Sequence, residues 1–230
     1  MWRDVHLHVA SKGKRMMTAD QIVFIVDDDA RLREALGELL ASHGMQAVTF
    51  ASAGDYMAAD KPDVPACLIL DVELPDINGF DLQGQIAQSD HPPIIFLTGH
   101  GDIPSSVRAI KHGAVDFLTK PVNETDIMAA INAAIDHDRD IRSRRAELGV
   151  LRQRYRDLTP REREVLPLVV SGLLNKQAAA ELGISEVTLQ IHRRNVMQKM
   201  KAASLADLVR IAGQLEIPIT YSRRPKGSRV

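Results

Sequence analysis

Cys67-Leu68-Ile69-Leu70-Asp71-Val72-Glu73-Leu74-Pro75-Asp76 is the stretch whose reading decides the fold. Residues 67–70 form an apolar run of strand length, a carboxylate ends it, and the turn formers Pro75 and Asp76 follow at once. An unbroken apolar run reads as a strand buried on both faces, the habit of a parallel sheet. Asp71 then sits at the carboxyl edge of that sheet, where ligands and chemistry gather in open α/β folds.

Outward from this strand, the chain alternates two periods. Strands are predicted over Ile22–Val26, Gln46–Phe50, Ala66–Leu70, Ile94–Thr98 and Asp116–Leu118. Helices are predicted between them over Ala30–Ser42, Ala53–Ala59, Gly79–Gln88 and Ile103–His112, and another begins after Asn123. Five strands alternating with helices imply a doubly wound, five-stranded parallel sheet covered on both faces, an α/β domain spanning 21–137. Residues 1–20 have no clear periodicity and are expected to be a flexible tail; His6 and His8 in it could bind a metal, but an isolated His-x-His in a tail reads more readily as no site.

The last helix continues past that domain. Ile127, Ala134, Ile141, Leu148 and Tyr155 recur every seven residues, with no proline between Asn123 and Leu158. The companion positions Ile131, Asp138, Arg145 and Arg152 are mostly charged, so 138–157 reads as a helical linker with at best a weak or conditional coiled-coil contact. Leu158-Thr159-Pro160-Arg161-Glu162 then restarts the pattern, with Thr as N-cap, Pro at the first helical position and Glu in capping-box register. Helices over Pro160–Ser171, Lys176–Leu182, Ser185–Met200 and Ser204–Leu215 make 158–218 a small all-α, four-helix domain, and 219–230 is a basic tail.

Charge separates the two halves. Residues 18–122 hold 6 Lys+Arg against 16 Asp+Glu, whereas 159–230 hold 12 against 6, although the whole chain nets −1. A basic second half points to nucleic acid as its partner. No apolar run approaches the roughly 18 residues that span a bilayer, so no membrane partner is expected. The single cysteine, Cys67, cannot form an internal disulfide, which fits a cytoplasmic location.

In a parallel sheet, Asp27, Asp28 and Asp29 after the first strand, Asp71 after the third, Thr98 at the end of the fourth and Lys120 after the fifth all fall on one edge. Asp29, just before a helix, reads as its N-cap. Crowded carboxylates call for a hard cation with oxygen ligands, hence Mg²⁺, which also serves phosphoryl transfer. Asp71 is then the in-line nucleophile, Lys120 a point charge for a phosphoryl oxygen and the Thr98 hydroxyl a donor to another.

Val26-Asp27-Asp28-Asp29, Leu70-Asp71-Val72-Glu73-Leu74-Pro75, Leu97-Thr98-Gly99 and Phe117-Leu118-Thr119-Lys120-Pro121 resemble the blocks of response-regulator receiver domains, a flavodoxin-like fold. Thr98-Gly99-His100-Gly101-Asp102-Ile103-Pro104 through Gly113-Ala114-Val115-Asp116-Phe117 resembles the FixJ subfamily in particular. The resemblance implies Asp71 as phosphoacceptor from a sensor histidine kinase, and Mg²⁺ held by Asp28, Asp71 and the Glu73 backbone carbonyl, with Asp27 assisting. It also implies Thr98 and Phe117 as a switch pair, Lys120 as the conserved lysine, and a homodimer on phosphorylation through a face that includes Ile103, Val107 and Arg108.

Ser185-Glu186-Val187-Thr188-Leu189-Gln190-Ile191-His192-Arg193-Arg194 is read as a helix with an apolar face through Val187, Val196 and Met200, Leu189 lying partly on it, and a basic face opposite. Leu158-Thr159-Pro160-Arg161-Glu162-Arg163-Glu164-Val165-Leu166, Gly172-Leu173-Leu174-Asn175-Lys176-Gln177 and Gly183-Ile184-Ser185 through His192 closely resemble the LuxR/NarL/FixJ helix-turn-helix. That resemblance implies Gln190, Ile191 and Arg194 at base edges of double-stranded promoter DNA, Lys176, Thr188, Arg193 and Lys199 at phosphates, and RNA polymerase as a further partner. His192 reads as structural or phosphate-facing. The competing class is an aspartyl-nucleophile phosphatase of the haloacid-dehalogenase type. Glu73 only loosely meets that family's need for a second carboxylate, and 158–215 does not look like its cap.

Overall fold

The apolar runs pair side by side in the computed structural model, which describes residues 20–87, 91–99 and 103–218, the side chains of 103–105 excepted. The expected tails, 1–20 and 219–230, fall almost wholly outside the described residues. The chain divides into two compact units, 1–142 and 143–230.

In the first unit β1 (Ile22–Val26), β2 (Gln46–Phe50), β3 (Ala66–Asp71), β4 (Ile94–Thr98) and β5 (Asp116–Thr119) form one sheet in the order β2-β1-β3-β4-β5, all neighbours parallel. The helices α1 (Ala30–Ser42), α2 (Ala53–Ala58), α3 (Gly79–Ile86), α4 (Ile103–Lys111) and α5 (Glu124–Arg156) alternate with the strands and follow them. The strand order reverses between β1 and β3, so the carboxyl ends of those two strands flank the crevice in which such sheets hold ligands.

Two cores cover the sheet. On one face Phe24, Leu68, Leu70 and Phe96 pack with Tyr56, Leu82 and Ala109; on the other Val23, Ile25, Ile69, Ile95 and Leu97 pack with Leu36, Leu40, Ile127, Ile131 and Ile135. Alternate residues of one strand feed opposite cores, as the period of two requires. Cys67 is fully buried, and burial pushes its thiol up to about 12, so it is an inert core residue.

The heptad along α5 is used within the chain. Ile127, Ile131 and Ala134 are buried in the first unit's core, and Leu151 and Tyr155 belong to the core of the second. Its charged member Asp138 is buried too: one carboxylate oxygen accepts from the Ala66 backbone N–H at 2.9 Å and from Arg142 Nε at 2.7 Å. Arg142 also pairs with Asp63. The helix therefore still packs against the start of β3 beyond residue 137, where the domain was expected to end, because this carboxylate satisfies a buried strand N–H.

In the second unit α6 (Pro160–Val170), α7 (Asn175–Leu182), α8 (Glu186–Lys199) and α9 (Leu205–Gln214) pack around Leu166, Val169, Ala179, Leu189, Val196, Leu208 and Ile211. The expected capping box is present, with Glu162 N on Thr159 Oγ1 at 3.3 Å and Thr159 N on Glu162 Oε2 at 2.8 Å. Gly183 turns the chain from α7 into α8 at φ +64°, a conformation costly for residues with a Cβ. No helix among the described residues is long and apolar enough to cross a membrane.

Asp138→Ala leaves the buried Ala66 N–H without its partner, which costs about 1–3 kcal/mol. Urea unfolding of the first unit is expected to fall by that amount, with hydrogen exchange at the Ala66 amide accelerated in proportion.

Candidate phosphoryl-transfer site and nucleic-acid interface

β1 delivers Asp27 and β3 delivers Asp71 to adjacent positions at the sheet's carboxyl edge, both almost wholly buried. Carboxylate oxygens of Asp27, Asp28 and Asp71 all lie within 4.8 Å of one another, Asp28 being the exposed member. Asp29 stands apart as the N-cap of α1, accepting from the N–H of Arg31 at 2.9 Å. Local backbone donors hold the cluster: Asp29 N donates to Asp27 Oδ1 at 2.9 Å, and Glu73 N to Asp71 Oδ1 at 3.2 Å.

Lys120, just beyond β5, reaches both buried acids, with Nζ 2.6 Å from Asp27 Oδ2 and 2.7 Å from Asp71 Oδ2. Burial would lower the Lys120 pKa, but its bonds to Asp27 and Asp71 outweigh that and leave it raised. Burial raises the Asp27 pKa against the opposing pull of Lys120. The ammonium balances only part of the cluster's charge, and a donor set made wholly of oxygens at this spacing suits a hard divalent cation.

Thr98 is buried at the end of β4, and its carbonyl accepts from Lys120 N at 2.7 Å. Phe117 is half-buried against the first core, 6.2 Å from the Phe96 ring. On α4, Val107 is exposed, and Arg108 lies with its guanidinium 5.2 Å from the centre of the Phe80 ring. The Ile103 side chain is outside the described residues. Ile110, three residues after Val107, is also exposed and was not singled out in the sequence.

Two further features sit beside the acids. Gly79, at the start of α3, packs so closely on β3 that a Cβ would run into the Asp71 carbonyl oxygen; its own N–H donates to Val72 O at 2.9 Å. A groove of about 610 Å³ runs next to Lys120, lined by Leu32, Leu36, Leu39, Val122 and Ile127.

On α8, Ser185 caps the helix through Thr188 N at 3.1 Å. Gln190, Ile191 and Arg194 are exposed on one face, and Lys176 at the start of α7 is exposed as well. Thr188 is half-buried, its hydroxyl 2.8 Å from Ser185 Oγ. Arg193 donates to Asn175 Oδ1 at 3.0 Å, using one of its five N–H donors.

The readings of Val187 and Leu189 need correction, and Lys199 is engaged within the unit. Lys199, expected at a phosphate, has its Nζ 2.7 Å from the buried Glu162 Oε2 and 3.3 Å from the Asp157 carbonyl, so it ties α8 to the start of α6. Val187 is not on the apolar face but 67% exposed, and Leu189 is completely buried. The reason is helical phase: Leu189, Val196 and Met200 share a face at spacings of seven and four, and Val187 lies across the helix from Leu189. His192 is half-buried, with its Nδ1 buried and without a hydrogen-bond partner among the described residues.

Residues 23–132 match the response regulator receiver domain, and residues 156–212 the bacterial regulatory proteins of the luxR family. Nodulation protein W of Bradyrhizobium diazoefficiens is 46% identical over 224 residues, which is 97% of this chain and 96% of that protein. The transcriptional regulatory protein FixJ of Azorhizobium caulinodans is 42% identical over 83% of this chain and 90% of its own length. The solved structure of response regulator StyR superposes with a TM-score of 0.74 at 44% identity, covering 84% of this chain and 98% of that one.

Fold and site thus define a two-part signalling protein, an acid-lined α/β receiver joined to a helix-turn-helix unit. The chain belongs to the response regulators that carry a receiver domain and a LuxR-type DNA-binding domain, and it is a transcriptional regulator with relatives named FixJ. The receiver domain implies a sensor kinase as its partner and the second domain implies DNA. The phosphatase alternative finds no support, since residues 158–215 build a helix-turn-helix unit and not a cap.

The Glu162–Lys199 pair generates a pH prediction. Burial acts to raise the Glu162 pKa, but Lys199 and the Thr159 N–H more than offset it and leave it below the usual value of 4.5. A depressed carboxylate stabilises the fold above its unfolded pKa and loses that contribution as pH falls through the folded one. Thermal melts of the second unit are expected to drop below about pH 4.3, and Glu162→Gln should start lower at neutral pH and show a shallower acid limb.

Proposed function

We propose that Asp71 is the phosphoacceptor of this regulator, on the observation that it is a buried carboxylate at a parallel-sheet edge within 2.7 Å of Lys120 and clustered with Asp27 and Asp28. One carboxylate oxygen attacks the phosphorus of a phosphohistidine on the partner kinase; the new P–O bond forms as the P–N bond breaks and the imidazole leaves. Lys120 supplies positive charge to a phosphoryl oxygen, and the Thr98 hydroxyl donates to another. Asp27, Asp28, Asp71 and the Glu73 backbone carbonyl would hold Mg²⁺. That ion, when bound, neutralises the acids and clamps phosphoryl oxygens. The apolar groove beside Lys120 gives the kinase a place to dock close to the acceptor.

Phosphoryl binding draws Thr98 inward, and Phe117 follows into the space beside Phe96. That movement reshapes α4, where Ile103, Val107 and Arg108 form the face on which a second phosphorylated chain docks. The resulting homodimer presents two copies of α8 to promoter DNA. Gln190, Ile191 and Arg194 read base edges in the major groove, while Lys176, Thr188 and Arg193 meet phosphates. A side-chain amide at residue 190 favours adenine, which it can engage through two hydrogen bonds. Regulation of RNA polymerase in the cytoplasm is the output that fits a protein of this family.

Asp71→Asn is expected to abolish labelling by radiolabelled acetyl phosphate; stoichiometric labelling of that variant would sink the assignment. In light scattering, saturating phosphodonor should move the wild-type protein from the chain mass of 25.4 kDa toward twice that value, and an unchanged mass counts against the dimer.

A further inference from the structure

The exposed side of α8 carries more than the polar groups expected of it. Val187, Gln190, Ile191, Arg194 and Gln198 are its exposed residues after Glu186, spaced three, four, seven and eleven positions from Val187, so they form one continuous stripe. Val187 is 67% exposed and Ile191 55%, the two large apolar residues that this helix leaves in water. Single exposed apolar residues are ordinary on protein surfaces. These two are set apart by their phase, since they flank Gln190 on the face that carries Arg194, and by the position of Val187 in the first turn of a helix capped by Ser185.

We propose that Val187 is a base-reading residue, taking up a thymine 5-methyl group in the major groove; this rests on the reading that α8 lies in that groove. The first turn of a recognition helix reaches the base edges, and Val187 stands out on the same exposed stripe as Gln190 and Ile191, whereas the neighbouring Thr188 is half-buried off it. An isopropyl group has no donor or acceptor, and the thymine methyl is the one apolar group a base pair presents in the major groove. A helix follows the inclined major groove, and residues about three apart on it meet successive bases. Val187 and Ile191 therefore read two thymine methyls about one or two steps apart, with Gln190 addressing an adenine near them. A half-site rich in A·T pairs follows, its thymines recognised by their methyl groups.

The test uses the full chain treated with acetyl phosphate. A duplex is selected from a random-sequence library, and each of its thymines is replaced in turn by uracil, which removes only the methyl. Wild-type protein should lose about fourfold in affinity per half-site at one thymine, the worth of one buried methyl group. Val187→Ala should bind the thymine duplex about that much more weakly and be indifferent to uracil at that position alone. Ile191→Ala should become indifferent at a second thymine. Since Val187 is in solvent, its variant should melt with the wild type, which separates lost reading from lost folding.

Wild-type protein indifferent to every uracil, or Val187→Ala still sensing the same one, overturns the proposal. If Arg194→Ala nevertheless abolishes the preference for the selected duplex over random DNA, only the role of Val187 has failed. If neither variant alters that preference, or no sequence is enriched at all, the placement of α8 in the groove falls with it.

Discussion

The Lys120 ammonium lies between two buried carboxylates, and the organisation of the first unit follows from that arrangement. Asp27 and Asp71 are brought together because β1 and β3 are parallel neighbours in register, and Lys120 joins them because β5 lies at the far side of β4 in the same direction. Removing two acids from water is costly unless their charge is met. Lys120 meets part of it at 2.6 and 2.7 Å, and the N–H groups of Asp29 and Glu73 supply further compensation. The remaining negative charge and the all-oxygen donor set are what suit the pocket to a hard cation.

This arrangement was readable in the chain because a parallel sheet converts sequence order into spatial coincidence. Every strand end that follows an apolar run lands on one edge, so Asp27, Asp71, Thr98 and Lys120 could be grouped without coordinates. Gly79 could not be added to them on pattern alone. Its role is the closeness of one backbone to another, which periodicity does not encode. Asp138 was misleading for a related reason: as a charge in a heptad it reads as solvated, yet it lies four residues after the buried Ala134 and satisfies the N–H of Ala66. A buried carboxylate with a backbone partner looks the same in sequence as an exposed one.

In the second unit helical phase, more than residue type, decides where side chains lie. Val187 reads as part of the apolar face because it is apolar, although its spacing from Leu189 is incompatible with a shared face. Lys199 reads as a DNA contact because it is basic; in the fold it lies on the same helix as the buried Val196 and Met200 and pairs with Glu162. Residue type alone does not reveal to which side the helix turns either side chain. The capping box at Thr159 and Glu162 was correctly read, because it depends on two residues at a fixed local spacing.

Helix α5 imposes the last constraint, since one continuous element contributes to both cores. Its early turns are committed through Ile127, Ile131, Ala134 and Asp138, and its late turns through Leu151 and Tyr155. Between them Ser143 to Val150 is exposed apart from the half-buried Leu148. An α-helix without a packed face is held by its own backbone bonds and weak side-chain pairs, and helices of this length are marginal alone. The order of those eight residues therefore depends on the folded units at either end, each acting as a nucleus from which the helix propagates. A change in the packing of Ile131 or Asp138 weakens the first of those nuclei, and the turn that follows, Ser143 to Ala146, is exposed and belongs to neither core.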